Sequence, residues 1–206
     1  MTLHECLERM ATRLRAKDVP FAVAGGLAAS LYRAQPRFTG DVDLIVALGT
    51  ADLAKAENLL TEMGFTTGRI RQADFEGGPL FAIKRKTTPV VMVTGRDPTS
   101  VGGIGADLLL SALPWVDTAL TRALCHTVDF GFGKVPVMTL EDVLLSKLYA
   151  FGKSVNRPKD LDDLLSIYET DPKPDLIYLQ ARIEKLEIRL PPLKKRSLPQ
   201  ELRTLI

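Results

Sequence analysis

The sequence predicts a mixed α/β (α+β) fold, a mixed sheet flanked by helices and followed by a C-terminal helical region. Three observations predict it. Amphipathic helical stretches alternate with short apolar, strand-like runs through the first two thirds of the chain. Asp41-Val42-Asp43 runs straight into Leu44-Ile45-Val46, a strand pattern with two charges on one face. Beyond Val135-Pro136-Val137-Met138 the strand-like text gives way to helical text. With 206 residues, 46% of them hydrophobic, the chain can bury one core with a helical appendage or two small domains sharing a cleft. The expected division is residues 1–138 as a core and 139–206 as a helical region completing the cleft.

Taken in order, residues 4–16 place Leu7, Met10, Ala11 and Leu14 on one side of a helix and charges on the other. Phe21-Ala22-Val23-Ala24 reads as a short strand that turns on Gly25-Gly26 into a helical stretch carrying Leu27, Leu31 and Ala34 on one stripe. Glycine permits positive φ and close approach of a ligand, and the start of a helix offers unpaired N–H groups to phosphate. The next strand begins at Asp41, and residues 50–63 form another amphipathic helix. Leu80-Phe81-Ala82-Ile83 and Val90-Val91-Met92-Val93 are expected to form a hairpin across the basic connection Lys84-Arg85-Lys86, followed by a loop over residues 95–103. Asp107 is a lone charge in the apolar run Ile104 to Leu110.

In the C-terminal part, Thr139 reads as an N-cap opening a helix through Phe151, and Lys147 falls within its apolar stripe. A lysine there must snorkel or meet an anion. A further helix begins near Pro158, with Leu161, Leu164, Leu165 and Tyr168 as its stripe, Asp160 flanking it, and Asp162 and Asp163 facing away.

The chemistry centres on Asp41 and Asp43. Side chains two apart share a strand face, and two unpaired carboxylates at that spacing repel unless a cation sits between them. Magnesium, which takes carboxylate and phosphate oxygens, suits that place. A third carboxylate would complete a two-metal site and deprotonate an attacking hydroxyl. The candidates are Asp107 and Asp129.

With these residues in place, the chain resembles the DNA polymerase beta-like nucleotidyltransferase superfamily. Its hallmark is a Gly-Gly or Gly-Ser turn followed, after a helix, by Asp-x-Asp or Asp-x-Glu. Gly25-Gly26, Arg37-Phe38-Thr39-Gly40-Asp41-Val42-Asp43, Lys147 and Arg157-Pro158-Lys159-Asp160 look most like the AbiEii-type branch of abortive-infection toxins. The resemblance covers about residues 20 to 170. It implies transfer of a nucleoside monophosphate from a nucleoside triphosphate to an acceptor hydroxyl, with two Mg2+ ions, or Mn2+, on Asp41, Asp43 and Asp107. It implies catalytic roles for Lys147 and Asp160, and nucleotide contacts from Gly25, Gly26, Lys147 and Arg157, with Lys159 a further contact. Gly26 stands where many members have serine, so a hydroxyl contact would have to come from Ser30. The acceptor implied is tRNA or another RNA, and the partner an antitoxin. A small molecule such as an antibiotic, or a protein hydroxyl, is the alternative acceptor, and a nucleotide-binding module without turnover is the third reading.

The remaining composition narrows the classes. Cys6 and Cys125 are too few for a disulfide framework, and no signal-like or membrane-length apolar segment is present, so a cytoplasmic protein is expected. His4 and His126 lack zinc-ligand spacing with the cysteines. The net charge of +2 and the basic runs Lys84-Arg85-Lys86 and Lys194-Lys195-Arg196 are compatible with an RNA acceptor without requiring one. Trp115 is expected to anchor packing, with base stacking as the less favoured alternative.

Overall fold

The structure, a computed structural model, describes residues 1–76, 87–99, 103–153, 157–171 and 173–206. Helix α1 (Leu3–Ala16) opens on a capping box in which the Thr2 hydroxyl accepts from the Glu5 N–H and the Glu5 carboxylate accepts from the Thr2 N–H. Its stripe of Cys6, Leu7, Met10, Ala11 and Leu14 is buried. Strand β1 (Phe21–Val23) leads through Ala24 into the short helix α2 (Gly25–Ser30). That helix stops four residues short of Ala34, the end of the expected stripe, and Leu31 is exposed. Pro36 disfavours helical backbone in the residue before it, and Thr170 takes the Tyr32 carbonyl while the Tyr32 hydroxyl bonds Met138, so the chain is drawn away from the helix axis.

Strand β2 (Asp41–Val46) is followed by a 3-10 turn (Thr50–Asp52) and α3 (Leu53–Thr61), within the expected helical stretch. Strand β3 (Thr66–Arg71), which the sequence did not signal because its residues are polar and half-exposed, leads into α4 (Gln72–Glu76). Strand β4 (Val90–Arg96) pairs with β3, and it extends through Gly95 and Arg96, residues expected to begin a loop. The expected partner strand at Leu80 to Ile83, with Lys84-Arg85-Lys86, lies outside the described residues. Strand β5 (Gly105–Leu110) and helix α5 (Val116–Ala123) follow, then a hairpin of β6 (Thr127–Asp129) and β7 (Lys134–Pro136).

The five-stranded sheet has the order β1-β2-β5-β4-β3, with β2 and β5 parallel and every other pair antiparallel. The second sheet is the β6-β7 hairpin, joined to the first by a bridge from Val23 to Val137. Leu44, Ile45, Val46, Leu108 and Leu110 at the centre of the five-stranded sheet are fully buried, as strands covered on both faces require.

The rest is helical: α6 (Leu140–Lys153), α7 (Pro158–Tyr168), α8 (Leu176–Lys185), α9 (Pro192–Arg196) and α10 (Gln200–Thr204). One continuous apolar core runs from Cys6 of α1 to Leu202 of α10, so the helical part shares its core with the sheet. Among the described residues no helix is long and apolar enough to cross a membrane, and Cys6 and Cys125 are free thiols.

Candidate active site

Strand alternation puts Asp41 and Asp43 half-buried on one face of β2, while Val42 and Leu44 are buried on the other. The glycine turn is shaped around Asp43. Gly25 has φ +57°, and a Cβ there would fall 1.9 Å from Asp43 Oδ2, so no other residue fits without displacing the carboxylate. The Gly26 N–H donates to the same oxygen at 3.3 Å. A side chain at Gly26 would press on the Arg37 guanidinium and the Thr39 hydroxyl, both 3.0 Å from its Cβ position. Ser30, expected to supply a hydroxyl to the site, turns it instead to the carbonyls of Gly26 and Arg37.

The β2–β5 register pairs Asp43 with Asp107 across the two parallel strands. Asp107 is buried, whereas Asp129, the other candidate, lies on the β6-β7 hairpin and accepts from the Gly131 N–H. Arg96, at the end of β4, donates to both oxygens of Asp107, at 2.6 and 3.2 Å, and stands 3.8 Å from Asp41 Oδ1. Gly105 permits this crossing: a Cβ there would lie 2.2 Å from Asp41 Oδ1 and 2.6 Å from Arg96 Nη1.

On the opposite wall, Lys147 of α6 meets two anions of α7. Its Nζ donates to Asp160 at 2.9 Å and lies 2.8 Å from Asp163 Oδ2. Asp163, expected to face away from the packed stripe, is fully buried and also receives Arg33 Nη1 at 2.7 Å and Arg37 at 2.7 and 2.8 Å. The packed stripe of α7 is Asp160, Asp163, Leu164 and Ile167, and Leu165 is exposed. Selecting the stripe by apolarity alone rotates it by a residue, because a carboxylate neutralised by three cations packs as interior. Arg157 lies 3.4 Å from Asp160 Oδ2.

These residues line one cleft of about 500 Å3. Gly25, Gly26, Arg37, Thr39, Asp41, Asp43 and Asp107 form its sheet side, and Lys147, Lys153, Arg157, Lys159 and Asp160 its helical side. Ser30 and Asp129 are not among the lining residues. Sequence reasoning assigned no role to Arg33, Arg96 or Asp163, and Arg37 entered only as part of a motif. The available signal was the clustering of Arg33 and Arg37 just before Asp-x-Asp, which by itself reads as solvated surface.

Enclosure of the Asp43 carboxyl, with the facing Asp107 second, pushes its pKa up to about 6. Burial likewise raises Asp107, against the lowering effect of Arg96. For Lys147 burial works toward the neutral amine, but Asp160 and Asp163 outweigh it and hold the group above the ordinary lysine value. Asp163 is brought down to about 2: Arg37 and Lys147 overcome its burial. Two carboxylates that resist ionising side by side, with Asp41 beside them, form a hard oxygen donor set. Among the described residues no three His, Cys, Asp or Glu side chains are gathered closely enough to hold a metal ion by themselves.

The profile of the family described as "Nucleotidyl transferase AbiEii toxin, Type IV TA system" matches residues 9–204, nearly the whole chain. The chain belongs to the AbiEii family. It is therefore a nucleotidyltransferase by family, and its five-stranded mixed sheet with flanking helices is similar to the fold of a solved nucleotidyltransferase-like protein. Among solved structures, this AbiEii chain resembles an antigenic nucleotidyltransferase-like protein from Paracoccidioides brasiliensis, with 20% identity and TM-score 0.51, covering 91% of this chain and 93% of that one. It also resembles ANT(2")-Ia in complex with adenylyl-2"-tobramycin, with 11% identity and TM-score 0.56, covering 91% of this chain and 98% of that one. At such identities the likeness concerns the fold. No curated protein matches the sequence.

Proposed function

We propose that this AbiEii-family chain transfers a nucleoside monophosphate from a nucleoside triphosphate to a hydroxyl of an RNA acceptor, tRNA included, and that an antitoxin restrains it. The observation that carries the reading is the pairing of Asp43 with Asp107 beside Asp41, facing a wall of cations across one cleft. Residues 1–138 supply Asp41, Asp43 and Asp107, and residues 139–206 supply Lys147, Lys153, Arg157 and Lys159. Asp41, Asp43 and Asp107 would hold divalent ions, two Mg2+ or Mn2+. When bound, these ions neutralise phosphate charge and lower the pKa of the attacking hydroxyl.

The chain's own residues do the rest. Gly25 and Gly26 fix the Asp43 carboxylate and leave room for phosphate beside it. Asp107 takes the proton of the acceptor hydroxyl. The acceptor oxygen then bonds the α-phosphorus as the bond from that phosphorus to the α–β bridging oxygen breaks, and pyrophosphate leaves with the electron pair. Lys147, held by Asp160 and Asp163, sets positive charge on the side where the leaving group develops negative charge, with Arg157 and Lys159 at the rim. Electrostatic preorganisation and in-line positioning are what such a step asks of a protein.

The test is incubation with magnesium, each labelled triphosphate and total cellular RNA, alongside an Asp41→Asn/Asp43→Asn variant. Label in a tRNA-sized band with the wild-type protein alone is expected. Label appearing only on a small molecule or a protein would overturn the RNA acceptor, and tight triphosphate binding with no pyrophosphate release from any mixture would leave a binding module.

A further inference from the structure

Beyond the carboxylates the cleft changes character. On β5, Leu109 follows Asp107 on the same face, and the antiparallel register sets Met92 of β4 beside Leu109. Two residues of strand advance about 7 Å. Leu113 and Trp115, both buried, continue this surface past the end of β5, and Tyr149 and Ala150 of α6 line the same cleft. The sheet order places β5 and β4 on the far side of β2 from β1, the strand that feeds the glycine turn. The apolar wall therefore extends from Asp107 and away from Gly25-Gly26.

We propose that the wall of Met92, Leu109, Leu113 and Trp115 seats the base of the acceptor's terminal nucleotide. This rests on the transfer reading above, and goes beyond it by assigning residues to the acceptor. In that reading the triphosphate lies between the glycine turn and Lys147, so the hydroxyl to be deprotonated enters on the Asp107 side. Whatever that hydroxyl is attached to meets the wall next. The wall offers contact surface and contributes no carboxylate beyond Asp107, which fits a flat aromatic group and not a polycationic sugar, whose amines call for acids. Lys153, a further cation on the helical side of the cleft, provides charge for the strand's phosphates.

Trp115 is the single tryptophan of the chain and so reports on the wall directly. The probes are a short single-stranded RNA with a free 3′-hydroxyl and the same RNA ending in an abasic residue. Steady-state transfer is measured with both, using the wild-type protein and Met92→Ala, a half-buried lining position chosen because truncating buried Trp115 risks the fold. The intact RNA should change Trp115 fluorescence without any triphosphate present, and the abasic RNA should not. Removing the base or truncating Met92 should raise the acceptor KM by about tenfold, the size of a lost base contact, with the triphosphate KM within about twofold. Equal use of abasic and intact RNA would overturn the proposal while leaving RNA transfer standing. A Met92→Ala effect on the triphosphate KM alone would assign the wall to the incoming nucleotide. Transfer confined to a non-RNA acceptor would remove the wall's assignment but not the chemistry, and absence of pyrophosphate release with every acceptor would remove both.

Discussion

Asp43 and Asp107 stand opposite each other on the parallel pair β2 and β5, each held up in pKa by burial, with Asp107 adding to the cost of ionising Asp43 and Asp41 to that of Asp107. The register of two central strands thus builds a demand for positive charge into the middle of the sheet.

One consequence concerns stability. With its pKa raised to about 6, Asp43 binds its proton more tightly folded than unfolded, so as pH rises from about 4 through about 6 its ionisation removes folding stability. At pH 7 without divalent ions, Asp43→Asn should therefore stabilise the protein by about 2 kcal/mol, roughly 5 °C in Tm, while abolishing transfer. Thermal melts at pH 5 and pH 7 with EDTA check this, and the gain should shrink at pH 5. A lower Tm for the variant at pH 7 would contradict it.

Asp163 has the opposite sign. Its pKa lies near 2, so its contribution is complete above about pH 4 and is lost as pH falls through 2. Asp163→Ala leaves Arg37, Lys147 and the buried Arg33 head group without their shared partner. Urea unfolding at pH 7 should show a loss of about 3–5 kcal/mol, shrinking as the comparison moves below pH 4. A loss under 1 kcal/mol would mean that the cluster is redundant.

Gly25 tests the turn. Gly25→Ala combines positive φ, costing about 1–2 kcal/mol, with a Cβ 1.9 Å from Asp43 Oδ2. Transfer should fall by about 100-fold or more, as misplacement of a positioned group by an ångström does, while circular dichroism stays close to wild type. Wild-type activity would show that Asp43 need not hold this position.

Arg96 competes for the carboxylates. Arg96→Gln removes a cation 2.6 Å from Asp107 and 3.8 Å from Asp41. Even in water-like surroundings a unit charge at about 4 Å is worth about 1 kcal/mol, so Mn2+ should bind about fivefold more tightly without nucleotide, as read by calorimetry. Weaker Mn2+ binding would instead make Arg96 an organiser of Asp107.

The local features were legible in the residues. The two-residue alternation of a strand obliges Asp41 and Asp43 to share a face, a glycine pair is what a turn pressed against a carboxylate demands, and Thr139 and Pro158 mark helix starts by chemistry that acts within a few residues. Asp107 was legible as a charge inside an apolar run, but that it faces Asp43 while Asp129 lies on a separate hairpin depends on how distant strands align. Strand β3 left no apolar pattern because it is a half-exposed edge. Lys147 was marked by its place in an apolar stripe, although the anions that meet it, Asp160 and Asp163, came from another helix. The arginines were silent, since a charge separated by 126 residues from its partner, as Arg37 is from Asp163, carries no local trace. Sequence by itself determined that Asp41 and Asp43 share a strand face and that Lys147 lies within a buried helix stripe, because backbone periodicity is local. Only the tertiary structure decided which charges neutralise one another, because burial and ion pairing depend on segments far apart in the chain.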